Sequence, residues 1–196
     1  MRAPIVLGVL GMLGRDAGAD SYLAEPDAPA THDRLLAFRI GGGRQTIERR
    51  DLEVLGLALA VEHRVYHQLR ITGEYEYVWL GAEDPADSTR TTTGSGHRAS
   101  LIVRHHLART RILADTVRFF IDGELGGGLL LGSEPMIGTI VQPHALVGIR
   151  IGYDLIKLRR DTRASRVWEP DLTFRALATP GERVGVLIGV GMGWGD

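Results

Sequence analysis

Cysteine is absent from the 196 residues. Its absence excludes a disulfide framework, a thiolate nucleophile and a zinc–thiolate site. Long apolar runs are missing as well. Beyond residue 19 no stretch approaches the roughly 18 consecutive apolar residues of a membrane-spanning helix. Aromatic residues are few, at 6%. Net charge is almost nil, at −1, which gives no reason to expect nucleic acid as a partner. The glycine triplets 41–43 and 126–128 lack the Lys-Ser/Thr that completes a phosphate loop. They read instead as sites of close backbone approach or strand bending. His105 and His106 are adjacent, so on a strand they diverge, one to each face, and make a poor metal pair. No cofactor and no metal are expected.

What the sequence does have is a period of two. In 184–195, Val184, Val186, Ile188, Val190, Met192 and Trp194 share one face, and Gly185, Leu187, Gly189, Gly191, Gly193 and Gly195 share the other. Alternation of this kind marks a strand. One face is continuously apolar and ends in an aromatic; the other is nearly bare. A lipid-facing band over a narrow lumen has that form.

The first residues point the same way. Met1-Arg2 is basic, residues 3–14 are apolar, and Ala17-Gly18-Ala19 has the small-x-small form of a cleavage site. The apolar stretch is too short to span a bilayer as a helix. The expectation is a signal peptide over 1–19, a Pro/Ala/Asp-rich lead-in over 20–31, and a single domain over 32–196. An exported protein without disulfides suits a bacterial envelope better than a eukaryotic secreted domain.

Eight alternating segments follow, near 33–41, 52–62, 66–80, 98–107, 116–128, 144–155, 168–177 and 184–195. Their lengths match tilted strands that cross the hydrocarbon. With both ends on the inner side, loops near 42–51, 81–97, 129–143 and 178–183 would be external. The connection 156–167 falls on the inner side yet looks long, so strands six and seven extend further or the count is off. Its basic residues, Lys157 to Arg166, read best as a solvated turn that could touch anionic headgroups.

Alternation alone does not say which face is inside. A soluble lipocalin-like barrel would bury the apolar face. Three features favour the membrane arrangement. The non-apolar face of the last segment is mostly glycine. Tyr75, Tyr77, Trp79, Tyr153, Trp168 and Trp194 sit near segment ends, like an interfacial aromatic girdle. The polar face carries both signs in near balance: Arg39, Arg70, Arg98, Arg104, Arg118, Arg150 and Arg175 against Glu74, Glu76, Asp122, Glu124, Asp154 and Asp171. A narrow lumen requires such balance, because an unpaired buried charge is costly. The fold class expected is all-β, an eight-stranded antiparallel up-and-down transmembrane barrel, with an ion-pair network filling its lumen.

Phe119-Ile-Asp-Gly-Glu-Leu-Gly-Gly-Gly followed by Ala145-Leu-Val-Gly-Ile-Arg-Ile-Gly-Tyr153, with the signal peptide and the eight segments, resembles the outer-membrane β-barrel domain family of opacity-type and small eight-stranded porin-like proteins. The resemblance covers nearly all of the chain after the signal peptide. It implies an outer-membrane location, contact with outer-membrane lipid and lipopolysaccharide, insertion by the barrel-assembly machinery and a monomer. It implies no single activity.

Some similar small barrels modify lipid acyl chains with a Ser, a His and an acidic residue. Here His97 and Ser100 are close, but residues three apart on a strand face opposite ways. No nucleophile–base pair follows, and no catalytic residues are assigned. Eight strands enclose a lumen that side chains fill. The leading expectation is an envelope structural or surface-loop binding barrel. A lipid-modifying barrel enzyme and a soluble ligand-binding barrel are the alternatives.

Overall fold

The computed structural model describes residues 34–66, 68–84, 87–113, 117–158 and 165–195. The expected signal peptide and lead-in lie outside the described residues. Eight strands run β1 Arg34–Ile47, β2 Arg50–Tyr66, β3 Leu69–Asp84, β4 Asp87–Leu113, β5 Val117–Glu134, β6 Gly138–Leu158, β7 Ser165–Ala178 and β8 Gly185–Gly195. Each pairs antiparallel with its sequence neighbours, and β8 closes on β1. All eight segments read from alternation are strands.

Register fixes the barrel's size. Partners followed once round from Arg44 through Val186, Ala176, Val147, Leu125, Val103, Ile71 and His63 return to β1 at Arg34, ten residues lower (44 minus 34). Such a stagger tilts strands by roughly 35–45° and leaves an interior just wide enough for side chains. We call the end where β1 begins and β8 finishes the terminal end, and the other the far end.

Three stretches expected as loops are strand instead. The 42–51 connection is a two-residue turn, Glu48-Arg49, between paired strands. Much of 81–97 is the tops of β3 and β4, and 129–143 is mostly β5 and β6. Gly, Ser and Thr misled the reading, because strands built of them carry no apolar alternation to mark their period. Strands β6 and β7 also run further than read, to Leu158 and from Ser165, which shortens the connection that looked too long. Both central residues of the tight turn are left-handed, Glu48 at φ 48° and Arg49 at φ 65°. A two-residue hairpin demands that twist, and non-glycine residues adopt it at a cost of about 1 kcal/mol or more each. The Arg49 N–H is compensated by the Glu182 carboxylate, at 3.0 Å and 3.2 Å to its two oxygens.

The apolar face points outward. Phe38, Leu59, Leu101, Val186, Ile188 and Val190 are all exposed, Ile188 by 49%. That placement contradicts the soluble-barrel alternative, in which these side chains pack inside. From Val184, just before β8, to Trp194 is a span of ten residues, about 24 Å along the axis at ~3.3 Å per residue and such a tilt. The interior is layered. Ile47, Leu52, Leu80, Leu130 and Ile140 belong to an apolar cap at the far end. Charged side chains fill the rest, beside a small patch of Leu35, Ala37 and Ala60.

Candidate functional site: the ion-paired interior

Inward positions of neighbouring strands bring opposite charges face to face. Arg150, fully buried on β6, is the hub. Its Nε donates to Asp171 at 2.9 Å, its Nη2 to Glu169 at 2.8 Å and its Nη1 to Asp122 at 3.4 Å, and its guanidinium lies 4.7 Å from the Phe120 ring centroid. Arg175 forks onto two carboxylates, donating to Glu74 at 2.5 Å and to Glu124 at 2.7 Å. Arg39 joins Asp171 and Glu74 across the barrel, at 3.2 Å to each. Arg104 donates to Glu124 at 2.7 Å and also binds Glu62. Arg70 donates to Glu62 at 2.6 Å. Nearer the apolar cap, Arg98 links Glu76 at 2.8 Å to Gln45 at 2.7 Å. Arg118 is buried beside Asp154 across the β5–β6 ladder. Charge-assisted, often bidentate bonds of this kind are the strong class.

Every residue assigned to the lumen network therefore faces inward: Arg70, Glu74, Glu76, Arg98, Arg104, Arg118, Asp122, Glu124, Arg150, Asp154 and Arg175 are all buried. Several members went unassigned. Glu62 had the right parity but no identified partner. Glu169 is the fifth residue of β7 but only the second of the segment read from 168, though the period back from Asp171 reaches it. Arg109 was hidden by a bulge. The β4–β5 register shifts between His106 and Ala108, so parity inverts and Arg109 turns inward to Asp154 at 2.5 Å. His106 bonds Asp122.

Glycine makes room for this filling. A Cβ on Gly191 would come within 2.6 Å of Arg39 Cγ, and one on Gly152 within 2.7 Å of Phe120 Cζ. The triplets act differently. A Cβ on Gly43 or Gly128 would lie 1.9 Å from a carbonyl oxygen of the next strand, Val186 or Ala99. Close backbone approach is thus their role. The void beside Arg39, Glu74 and Arg175 is about 30 Å³, room for very little water.

The aromatics lie on the outer wall in two groups. Tyr153, Trp168 and Trp194 are toward the terminal end, with Trp168 opposite Trp194 across the β7–β8 ladder. Tyr75, Tyr77 and Trp79 climb β3 toward the far end. There Tyr75 Oη is 2.6 Å from His97 Nδ1, and Tyr77 meets Trp79 edge-on at 4.8 Å.

His97 and Ser100 do fall on opposite faces, the first exposed and the second buried. Ser100 Oγ instead contacts Nε2 of His144 at 3.1 Å, a partner that sequence spacing did not reveal. Both side chains are buried on the inward face. Among the described residues, no cluster of His, Asp and Glu forms a metal site.

No family model matches the sequence, and no curated protein matches it. Solved structures do. Neisserial surface protein A aligns at a TM-score of 0.52 with 7% identity, over 83% of this chain and 95% of that one. Ail, the attachment invasion locus protein of Yersinia pestis, aligns at 0.43 with 11% identity, over 84% and 99%. The N-terminal barrel domain of Pseudomonas aeruginosa OprF aligns at 0.39 with 13% identity, over 83% and 99%. The first of these carries the comparison, and at such identity it speaks for the fold: a small eight-stranded barrel of the outer-membrane kind.

Proposed function

We propose that this chain is an outer-membrane barrel that spans the bilayer as a closed, non-conducting wall element of a bacterial envelope. One observation carries the reading: polarity is inverted, with the large apolar side chains outside and the paired charges inside. Water cannot solvate the first economically, and a bilayer solves that problem by covering them. The outward band of about 24 Å matches the height a transmembrane barrel shows, ~25 Å. Tyr153, Trp168 and Trp194 at one margin, and Tyr77 and Trp79 at the other, would sit at the two headgroup levels. Exposed Arg44 and Arg183 near the far end suit contact with anionic lipid, including lipopolysaccharide. Export by the N-terminal signal peptide and insertion by the assembly machinery belong to the same proposal, as does a monomeric state. The apolar cap and the ion pairs occupy the interior among the described residues, as a closed wall requires.

The test is refolding from urea into detergent and then into vesicles. An inserted barrel migrates differently on a gel before and after boiling. In a planar bilayer it shows no steady channel. A large, stable conductance would refute the closed wall, and identical mobility before and after boiling would refute insertion.

A further inference from the structure

The register leaves the outer edge of β6 open at the far rim. β6 is paired with β5 up to Gly138. Its ladder with β7 stops at Ala145–Ala178, because β7 ends there. The chain then turns back to β8, and the backbone bond in that turn runs from the Glu182 N–H to the Thr179 carbonyl. Among the described residues, no backbone hydrogen bond joins 138–144 to this turn. The turn is tied elsewhere, through Glu182 to the Arg49 N–H.

The open segment is Gly-Thr-Ile-Val-Gln-Pro-His, without a charged residue. Exposed edges are normally blunted by charge, above all lysine. Here only Pro143 interrupts. Pro143 also reveals which way the edge faces. It keeps its place opposite Leu129 in an unbroken β5–β6 register, so its missing N–H belongs to the open side. Residues two apart on a strand point alike, so the N–H groups of Thr139 and Val141 face the open side too. Val141 is 65% exposed on the outer wall. The edge is braced from within, since Gln142 accepts from Gln45 at 2.8 Å and donates to the Thr46 carbonyl at 3.2 Å. A held template loses little freedom on binding.

We infer that the β6 edge over Gly138–His144 accepts an extended segment of another polypeptide as an added strand. The segment is uncharged, six or seven residues long by the length of the edge, and apolar or β-branched at alternate positions, because it lies beside Thr139 and Val141 outside and Ile140 inside. A second copy in the same membrane is not the occupant. Two barrels sharing a bilayer are related by an axis along its normal. That axis points both β6 strands the same way and crosses them at about twice their tilt, which no ladder tolerates. The inference rests on the membrane reading for one thing only, that the far rim stands in water.

The probe is a fluorescein-labelled peptide with the sequence of residues 127–133, the uncharged β5 segment that already pairs with the other side of this edge. It is added to full-length barrel in micelles, after heat-modified mobility has shown that the barrel is folded. Saturable anisotropy change is expected, weakened at least tenfold by Thr139→Pro and by Val141→Lys, with mobility unchanged. Amide exchange gives the second readout. In the free barrel the Thr139 and Val141 amides exchange at least tenfold faster than that of Ile140, and the peptide slows them. Three results overturn the inference: no saturable binding, binding indifferent to both variants, or Thr139 and Val141 amides already as protected as Ile140. Failure to fold or insert would count against the membrane reading; failure of a folded barrel to bind counts against the edge alone.

Discussion

At the scale of single residues, the interior works by exact company rather than by charge as such. Arg150 faces Asp122, Glu169 and Asp171 with nothing but protein around it. Removing it takes the shared partner from three buried carboxylates and leaves Asp171 to Arg39, Asp122 to His106 and Glu169 to Arg70. Arg150→Ala should therefore cost about 3–5 kcal/mol, the range for breaking a buried pair, read by urea titration of the refolded barrel with tryptophan fluorescence. A cost under 1 kcal/mol would mean that the interior is wet. Glycines divide by surroundings. A Cβ on Gly128 would sit 1.9 Å from the Ala99 carbonyl, whereas one on Gly73 meets nothing within 4 Å. In the same titration Gly128→Ala should destabilise by roughly 1–3 kcal/mol, as overpacking does. Gly73→Ala should be neutral or stabilising by up to about 1 kcal/mol. Equal effects would contradict the close strand approach assigned to the triplet.

At the scale of strands, the alternation made most of the fold legible. Val, Leu and Ile against Gly, Ala and charge separated the two faces of β2 and β8, because every second residue there is apolar, though alternation alone did not say which face is inside. Legibility failed where that demand ends. Above the apolar band, β3 to β6 continue with Thr, Ser and Gly on the outer face, and nothing in such residues separates strand from loop. It failed again at the β4 bulge, where one extra residue inverts parity and delivers Arg109 to Asp154. Of the interior, sequence revealed which charges face inward but not which meet, since partners such as Arg39 and Asp171 lie 132 residues apart. His144 is likewise matched to Ser100 only by closure of the sheet. The two-sided character of β8 yields a prediction of its own. Ile188→Arg should cost about 2–4 kcal/mol in a bilayer, the penalty for an arginine near the midplane. Arg44→Ala, at an exposed ion pair, should change stability by less than about 1 kcal/mol. Folding titrations in vesicles of defined thickness decide it, and comparable small costs for both would remove the lipid from the account.

At the scale of the whole molecule, closure, stagger and inverted polarity are one design. Eight strands with a ten-residue stagger make a tube that side chains can fill. Glycine on β8 and elsewhere makes room for arginine from the neighbouring strand, as Gly191 does for Arg39, and paired charge fills the inside while the apolar belt faces out. The claim beneath all of it is that the belt faces hydrocarbon. The absence of cysteine makes that claim directly measurable, since each single-cysteine variant carries a unique label. Nitroxides placed in turn at Val184, Val186, Ile188, Val190, Met192 and Trp194 in vesicle-inserted protein report collisions with oxygen, which concentrates in lipid, and with a water-soluble nickel complex. The account predicts oxygen collisions highest at Ile188 and Val190 and falling toward both ends, with nickel collisions the reverse. A flat profile, with nickel reaching Ile188 as readily as Val184, would contradict it.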